Sequence, residues 1–144
     1  MRYIRLVLLV LSAMPLVACG GVASPTRVAA NLTPPAVGTY GHASPAELDA
    51  MLAQKDFVFV NVHTPYEGEI TSTDIFIPYD EIGQKLERLP ADKAARIVLY
   101  CRSGHMSTIA AQALVKLGYT NVWSLDGGMA AWERAGYTLV TGSR

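Results

Sequence analysis

The chain has 144 residues, 51% of them hydrophobic, and its 12 Lys and Arg balance 12 Asp and Glu to a formal net charge of zero. That length suits one domain with appendages, at roughly 100–200 residues per domain, and the balanced charge offers no basic face for a phosphate backbone, so nucleic-acid binding is not expected. The mean hydropathy of +0.24 is high for a small soluble domain, and much of the excess sits in the first 18 residues. Without them the chain carries 10 basic and 12 acidic residues, a net −2.

Arg2 and Arg5 precede an apolar run of 12 residues from Leu6 to Val17. Crossing a hydrocarbon core takes about 20 apolar residues, so residues 1–18 read as a signal peptide. The run ends in Leu16-Val17-Ala18-Cys19, which resembles the bacterial lipobox. That resemblance implies cleavage before Cys19, lipidation of Cys19, and an exported protein anchored to a membrane and facing the periplasm or the cell exterior. A plain secretory signal with an incidental cysteine is the alternative. Acyl chains contribute about 0.8 kcal/mol per buried methylene, and two hold where one does not. Residues 19–43 contain Ser24-Pro25, Pro34-Pro35, Gly38 and Gly41 without a helical or alternating apolar period. They read as a flexible tether, with Tyr40 placed to begin contact with a folded domain over 44–144.

Ser44-Pro45-Ala46-Glu47 is a helix start: Ser44 caps, Pro45 takes the first helical position and Glu47 closes a capping box. Leu48, Met51 and Leu52 give that helix one apolar face. Phe57-Val58-Phe59-Val60 has the composition of a buried parallel strand. A polar loop covers roughly 63–74, and Ile82, Leu86 and Leu89 predict a second helix ending before Pro90. Ile97-Val98-Leu99-Tyr100 predicts a second buried strand running into Cys101. A helix marked by Ala110, Ala113, Leu114 and Leu117 follows, with Gly118 at its C-cap. Asn121 to Leu125 predicts a third strand, Asp126-Gly127-Gly128 a turn, and Met129 to Ala135 a short helix. Alternating strands and helices imply an α/β fold, a mostly parallel sheet with helices on both faces.

In such sheets ligands bind beyond the carboxyl ends of the strands. Cys101 takes that place, at the head of Cys101-Arg102-Ser103-Gly104-His105-Met106-Ser107. Gly104 permits the positive φ of a tight loop. Successive backbone N–H groups beside a helix N-terminus form an anion cradle, a field that favours thiolate over thiol and makes the cysteine a nucleophile. Arg102 adds positive charge. The other cysteine, Cys19, has its own explanation, and His42, His63 and His105 show no zinc-site spacing.

The loop is similar to the active-site loop of the rhodanese family, usually CRSGxRS. Leu125-Asp126-Gly127-Gly128-Met129-Ala130-Ala131-Trp132 resembles that family's LDGGxxAW segment, and Phe59 to Glu67 its first strand and DVRxPxE turn. The resemblance runs from Ser44 to about Val140. It implies a rhodanese-like domain that takes a sulfane sulfur from thiosulfate or a persulfide onto Cys101 and passes it to a thiol or cyanide. On that mapping Cys101 is the nucleophile, and Arg102, Ser103, Gly104, His105, Met106 and Ser107 form the substrate cradle, with hydroxyls from Ser103 and Ser107. The resemblance implies no metal or organic cofactor; the sequence does not fix an oligomeric state.

Four departures from the pattern bear on the site. Met106 stands where many members place a second arginine, so anion affinity is expected to fall or a less charged donor to be preferred. Asn61 and His63 replace the usual Asp and Arg. Glu69-Ile70-Thr71-Ser72-Thr73-Asp74 replaces the usual GHIPGA stretch. His105 is either a titrating gate or an exposed side chain. A phosphatase would need a longer loop and a clamping arginine, and a thiol–disulfide oxidoreductase a second nearby cysteine. A non-catalytic or persulfide-sensing module at the cell envelope is the remaining alternative. His63, Glu67, Glu69 and Asp74 can be drawn as a metal cluster but read as solvated surface, and Trp123 and Trp132 read as core or pocket wall.

Overall fold

A computed structural model describes residues 32–142. The segment read as a signal peptide and Cys19 lie outside the described residues. Seven strands, three helices and two 3-10 turns follow in the order β1 (Gly41–Ala43), α1 (Pro45–Leu52), β2 (Val58–Asn61), β3 (Glu69–Ile70), β4 (Ile75–Phe76), the turns Ile82–Gln84 and Leu86–Arg88, β5 (Ile97–Tyr100), α2 (His105–Lys116), β6 (Val122–Leu125), α3 (Gly128–Arg134) and β7 (Leu139–Val140). Five strands form a parallel sheet in the order β1-β6-β5-β2-β4, while β3 and β7 pair antiparallel beside it. β5 lies at the centre, so the residue that follows it emerges mid-sheet.

The strands are apolar on both faces because each face is covered. Ile97 and Leu99 of β5, with Val60, Val62 and Val122, pack beneath Ala110, Ala111 and Leu114 of α2. Val98 and Tyr100 of the same strand face the other way, with Phe59, Trp123 and Leu125, onto Leu48 and Met51 of α1 and Met129 and Trp132 of α3. The period-2 alternation thus sorts side chains between two core layers. Cys101 continues the first set and points to the α2 side.

α1 begins as its sequence predicts. Ser44 Oγ accepts the Glu47 N–H, the Glu47 carboxylate accepts the Ser44 N–H at 2.8 Å, and Pro45 occupies the first turn. The Ser44 hydroxyl, and then its N–H, hold the Glu47 carboxyl below the ordinary glutamate range.

Three short elements depart from the sequence reading. The predicted second helix is two successive 3-10 turns, because Lys85 between them has φ −120° and ψ 36°, outside helical geometry. Ile82 and Leu89 are nonetheless buried and Leu86 half-buried, so the apolar spacing is met by tighter turns. β1 lies within the segment read as a tether: Gly41, His42 and Ala43 pair with Trp123, Ser124 and Leu125. The folded unit therefore begins before Ser44. The polar loop after β2 carries β3, whose Ile70 is wholly buried.

Candidate active site

β5 delivers Cys101 to the carboxyl edge of the sheet, and a bend over Arg102 to Gly104 turns the chain into α2. Gly104 has φ 92°, the left-handed conformation glycine adopts without cost, and it caps the helix. The loop folds back on its own sulfur. The Gly104 N–H donates to Cys101 Sγ at 3.1 Å, and the first-turn N–H groups of α2, which lack acceptors within the helix, lie beside it. Cys101 is 1% exposed, so its sulfur sits at the floor of the loop.

Two buried serines support that floor. Ser107 Oγ lies 3.7 Å from Sγ and donates to the Gly104 carbonyl at 3.0 Å, while Ser124 Oγ donates to Ser107 Oγ at 2.9 Å. A hydroxyl has one proton, so with that proton on Gly104 O the Ser107 oxygen faces the sulfur as an acceptor. It turns into a donor to sulfur only by releasing Gly104. The sequence motif does not single out Ser124, whose signal is a lone hydroxyl in the otherwise apolar run of β6.

The Asp126-Gly127-Gly128 turn holds the loop from behind. Met129 N–H donates to the Cys101 carbonyl at 2.8 Å and Ala130 N–H to the Arg102 carbonyl at 2.9 Å. Gly128 has φ 58°, and a Cβ there would stand 2.2 Å from Cys101 O and 2.8 Å from Arg102 O. Only glycine lets α3 start this close to the cysteine loop. Asp126 itself turns outward to His42 Nδ1, 2.6 Å away.

The loop after β2 forms the opposite wall. Asn61, fully buried, accepts the His63 N–H at 3.0 Å and donates to the Gly68 carbonyl at 2.9 Å, which closes residues 61–68 into a compact turn. Tyr100 anchors the next stretch. Its hydroxyl accepts the Ile70 N–H at 3.0 Å and lies 2.6 Å from Thr73 Oγ1. Thr73 gives its proton to Ile70 O, so Tyr100 donates to Thr73. Burial pushes the Tyr100 phenol well up, keeping it neutral.

This turn presents Glu67 to the cysteine loop. Glu67 Oε2 lies 3.4 Å from Arg102 Nη1 and 3.2 Å from His63 Nε2. The groups that could be drawn as a metal cluster do not converge: Glu67 lies near Arg102 and near His63, which is buried and not solvated surface as expected, whereas Asp74 accepts from Lys55 Nζ and the Phe59 N–H. Of the predicted cradle, Cys101, Gly104 and Ser107 converge on the sulfur; Arg102, Ser103 and His105 are exposed and Met106 half-buried at the rim.

A parallel α/β sheet with a cysteine loop at the carboxyl end of its central strand, backed by a Gly-Gly turn, defines the class. The chain belongs to the rhodanese-like domain family, whose description matches residues 44–135. It is 35% identical over 104 residues to a tRNA uridine(34) hydroxylase of Erwinia tasmaniensis, a match covering 68% of this chain and 29% of that protein. The chain therefore spans under a third of the curated relatives it matches. Among solved structures it is similar to a rhodanese-related protein from Thermoplasma volcanium, at 29% identity and TM-score 0.61, covering 70% of this chain and 98% of that one. It is also similar to part of a NAD-dependent persulfide reductase from A. fulgidus, at 28% identity and TM-score 0.52, covering 65% of this chain and 16% of that one.

Proposed function

We propose that this protein is a sulfurtransferase that carries a sulfane sulfur as a Cys101 persulfide. The observation that carries the reading is the position of Cys101 Sγ at the carboxyl end of β5, accepting the Gly104 N–H at 3.1 Å beneath the start of a 12-residue helix. Persulfide chemistry needs a sulfur that is negative before and after loading, and backbone N–H groups fixed in place stabilise that charge without reorganising. The similarity to part of a protein named for persulfide reduction points the same way.

In the first half-reaction the Cys101 thiolate attacks the terminal sulfur of a donor. The new Cys101 S–S bond forms as the donor S–S bond breaks, and the electron pair leaves on sulfite or on an organic thiolate. In the second, cyanide or a thiolate attacks the outer sulfur and the pair returns to Cys101, so no oxidant is consumed. We further propose that the protein is exported and held at a membrane by lipid on Cys19, a reading supported by the Leu16-Val17-Ala18-Cys19 motif. Labelled palmitate incorporated by the wild type and not by Cys19→Ser tests this, and equal labelling refutes it.

The sulfur chemistry is tested by incubating the full chain, purified in detergent, with thiosulfate or an organic persulfide and reading its intact mass. A gain of one sulfur by the wild type and none by Cys101→Ser, discharged by cyanide as thiocyanate, is the expected result. No gain from either donor, with Cys101 reduced and open to alkylation, overturns the reading and favours a non-catalytic binding module.

A further inference from the structure

The charge at the mouth of the cysteine loop is unusual for a site that is to take a dianion. Within residues 101–107 Arg102 is the one full cation: position 106 is methionine, and the neighbours at 103 and 105 are serine and histidine. That cation already has a counter-ion, since Glu67 Oε2 stands 3.4 Å from Arg102 Nη1. Glu67 Oε2 also lies 3.2 Å from Nε2 of His63, a ring only 8% exposed whose nitrogens make no hydrogen bond among the described residues, so the carboxylate stands against a buried ring. Asn61 fixes the turn that carries both. Asp126, behind the loop, adds a second carboxylate paired with His42, while the Arg134 guanidinium lies beside Gly127 on that same side. Residues 32–142 as a whole carry 8 Lys and Arg against 12 Asp and Glu, so the wider field is negative as well.

We propose that Glu67 is a specificity-determining residue, which neutralises Arg102 and sets the site toward organic persulfides and against doubly charged donors such as thiosulfate. The proposal rests on the sulfurtransferase reading of Cys101. Chemically the two donors differ in the charge they bring and in what leaves. Thiosulfate brings two negative charges to the mouth and releases sulfite with both. A persulfide R–S–SH brings at most one at its reacting end: the bond from Cys101 Sγ to the outer sulfur forms, the S–S bond of the persulfide breaks, the pair leaves on R–S⁻, and the proton stays on the transferred sulfur. Glu67 is 45% exposed and Arg102 50%, so their pairing is partly screened. A dianion placed between them still meets the carboxylate at short range, where Coulomb repulsion at intermediate dielectric changes a rate by about tenfold.

The test is single-turnover sulfur loading of the full chain in detergent, followed by intact mass, with thiosulfate and with benzyl persulfide released from a precursor. The wild type is expected to load faster from the persulfide, and Glu67→Gln to speed thiosulfate loading about tenfold while moving persulfide loading less than about threefold. Added salt screens exposed charges. It should leave wild-type thiosulfate loading level or raised, and should slow that of Glu67→Gln, where an unopposed Arg102 attracts the donor. Glu67→Asp keeps the charge and is expected to keep the wild-type donor ratio. If Gln leaves that ratio unchanged, or Asp shifts it as Gln does, or the wild type prefers thiosulfate, the proposal is overturned while the persulfide reading stands. If neither donor loads Cys101 in any variant, both fall together.

Discussion

Replacing Gly128 by alanine should disable the site by pushing its backbone apart. The residue sits at φ 58°, and the added methyl would lie 2.2 Å from the Cys101 carbonyl oxygen, 2.7 Å from Arg102 C and 2.8 Å from Arg102 O. Relaxed carbon–oxygen contacts lie near 3.3 Å, so the cysteine loop and α3 must separate by roughly 1 Å. That movement stretches the bonds from Met129 N–H to Cys101 O and from Ala130 N–H to Arg102 O, now 2.8 and 2.9 Å. Each net backbone bond contributes about 1 kcal/mol, and a left-handed alanine costs ~1 kcal/mol more. The loss comes to about 3 kcal/mol, or a fall in Tm of roughly 10 °C for a domain of this size. Because the displaced carbonyls belong to residues 101 and 102, sulfur loading should fall further than stability does. Gly136 supplies the control: its φ is 92°, but no atom lies within 4 Å of its virtual Cβ. Gly136→Ala should carry the conformational cost alone, about 1 kcal/mol, and load normally. Thermal melts and intact-mass loading on both variants decide the matter. Gly128→Ala melting with Gly136→Ala and loading at the wild-type rate would refute the reasoning.

Two further substitutions probe other parts of the argument. Ser107→Ala removes the acceptor of the buried Ser124 hydroxyl and one donor to Gly104 O; about 1–3 kcal/mol of stability should be lost, and alkylation of Cys101 by iodoacetamide should change rate, whereas an unchanged melt and rate would remove Ser107 from the site. Ser44→Ala should cost about 1 kcal/mol at neutral pH. Since the folded state holds the Glu47 carboxyl below its ordinary range, that contribution is present above the unfolded value and lost as pH falls through the folded one. The gap in Tm between wild type and Ser44→Ala should therefore narrow in acid, and a gap that widens there would contradict the capping assignment.

The parts of the fold that were legible in sequence are those in which several residues repeat one message. β5 is a continuous apolar run and β2 and β6 are apolar but for Asn61 and Ser124, the Ser44 cap is a local motif, and α2 shows its buried positions at helical spacing. β1, β3, β4 and β7 have two or three residues each, too few for any period to show. Their pairing comes from across the chain, as Ile70 meets Leu139. The 82–89 segment shows the reverse limit, since an apolar spacing of four and three serves a helix or two 3-10 turns equally. At the site, Cys101 and its loop were legible as a contiguous motif, as was the Gly-Gly turn. The Glu67–Arg102 contact joins residues 35 positions apart, and only the folded sheet brings β2 and β5 side by side to make it.

The depth of Cys101 has a consequence for which sulfur compounds can exchange with it. A cysteine that is 1% exposed is met more readily by an atom standing at the end of its own molecule than by one flanked on both sides. The outer atom of a persulfide or of thiosulfate satisfies that condition, whereas the sulfurs of a disulfide are flanked by carbon on both sides. A Cys101 persulfide, if the proposed function holds, would in turn offer a single terminal sulfur one bond length beyond the thiol. On the proposed function, a loop this closed would favour sulfur that terminates a molecule and would disfavour mixed-disulfide formation at its own thiol.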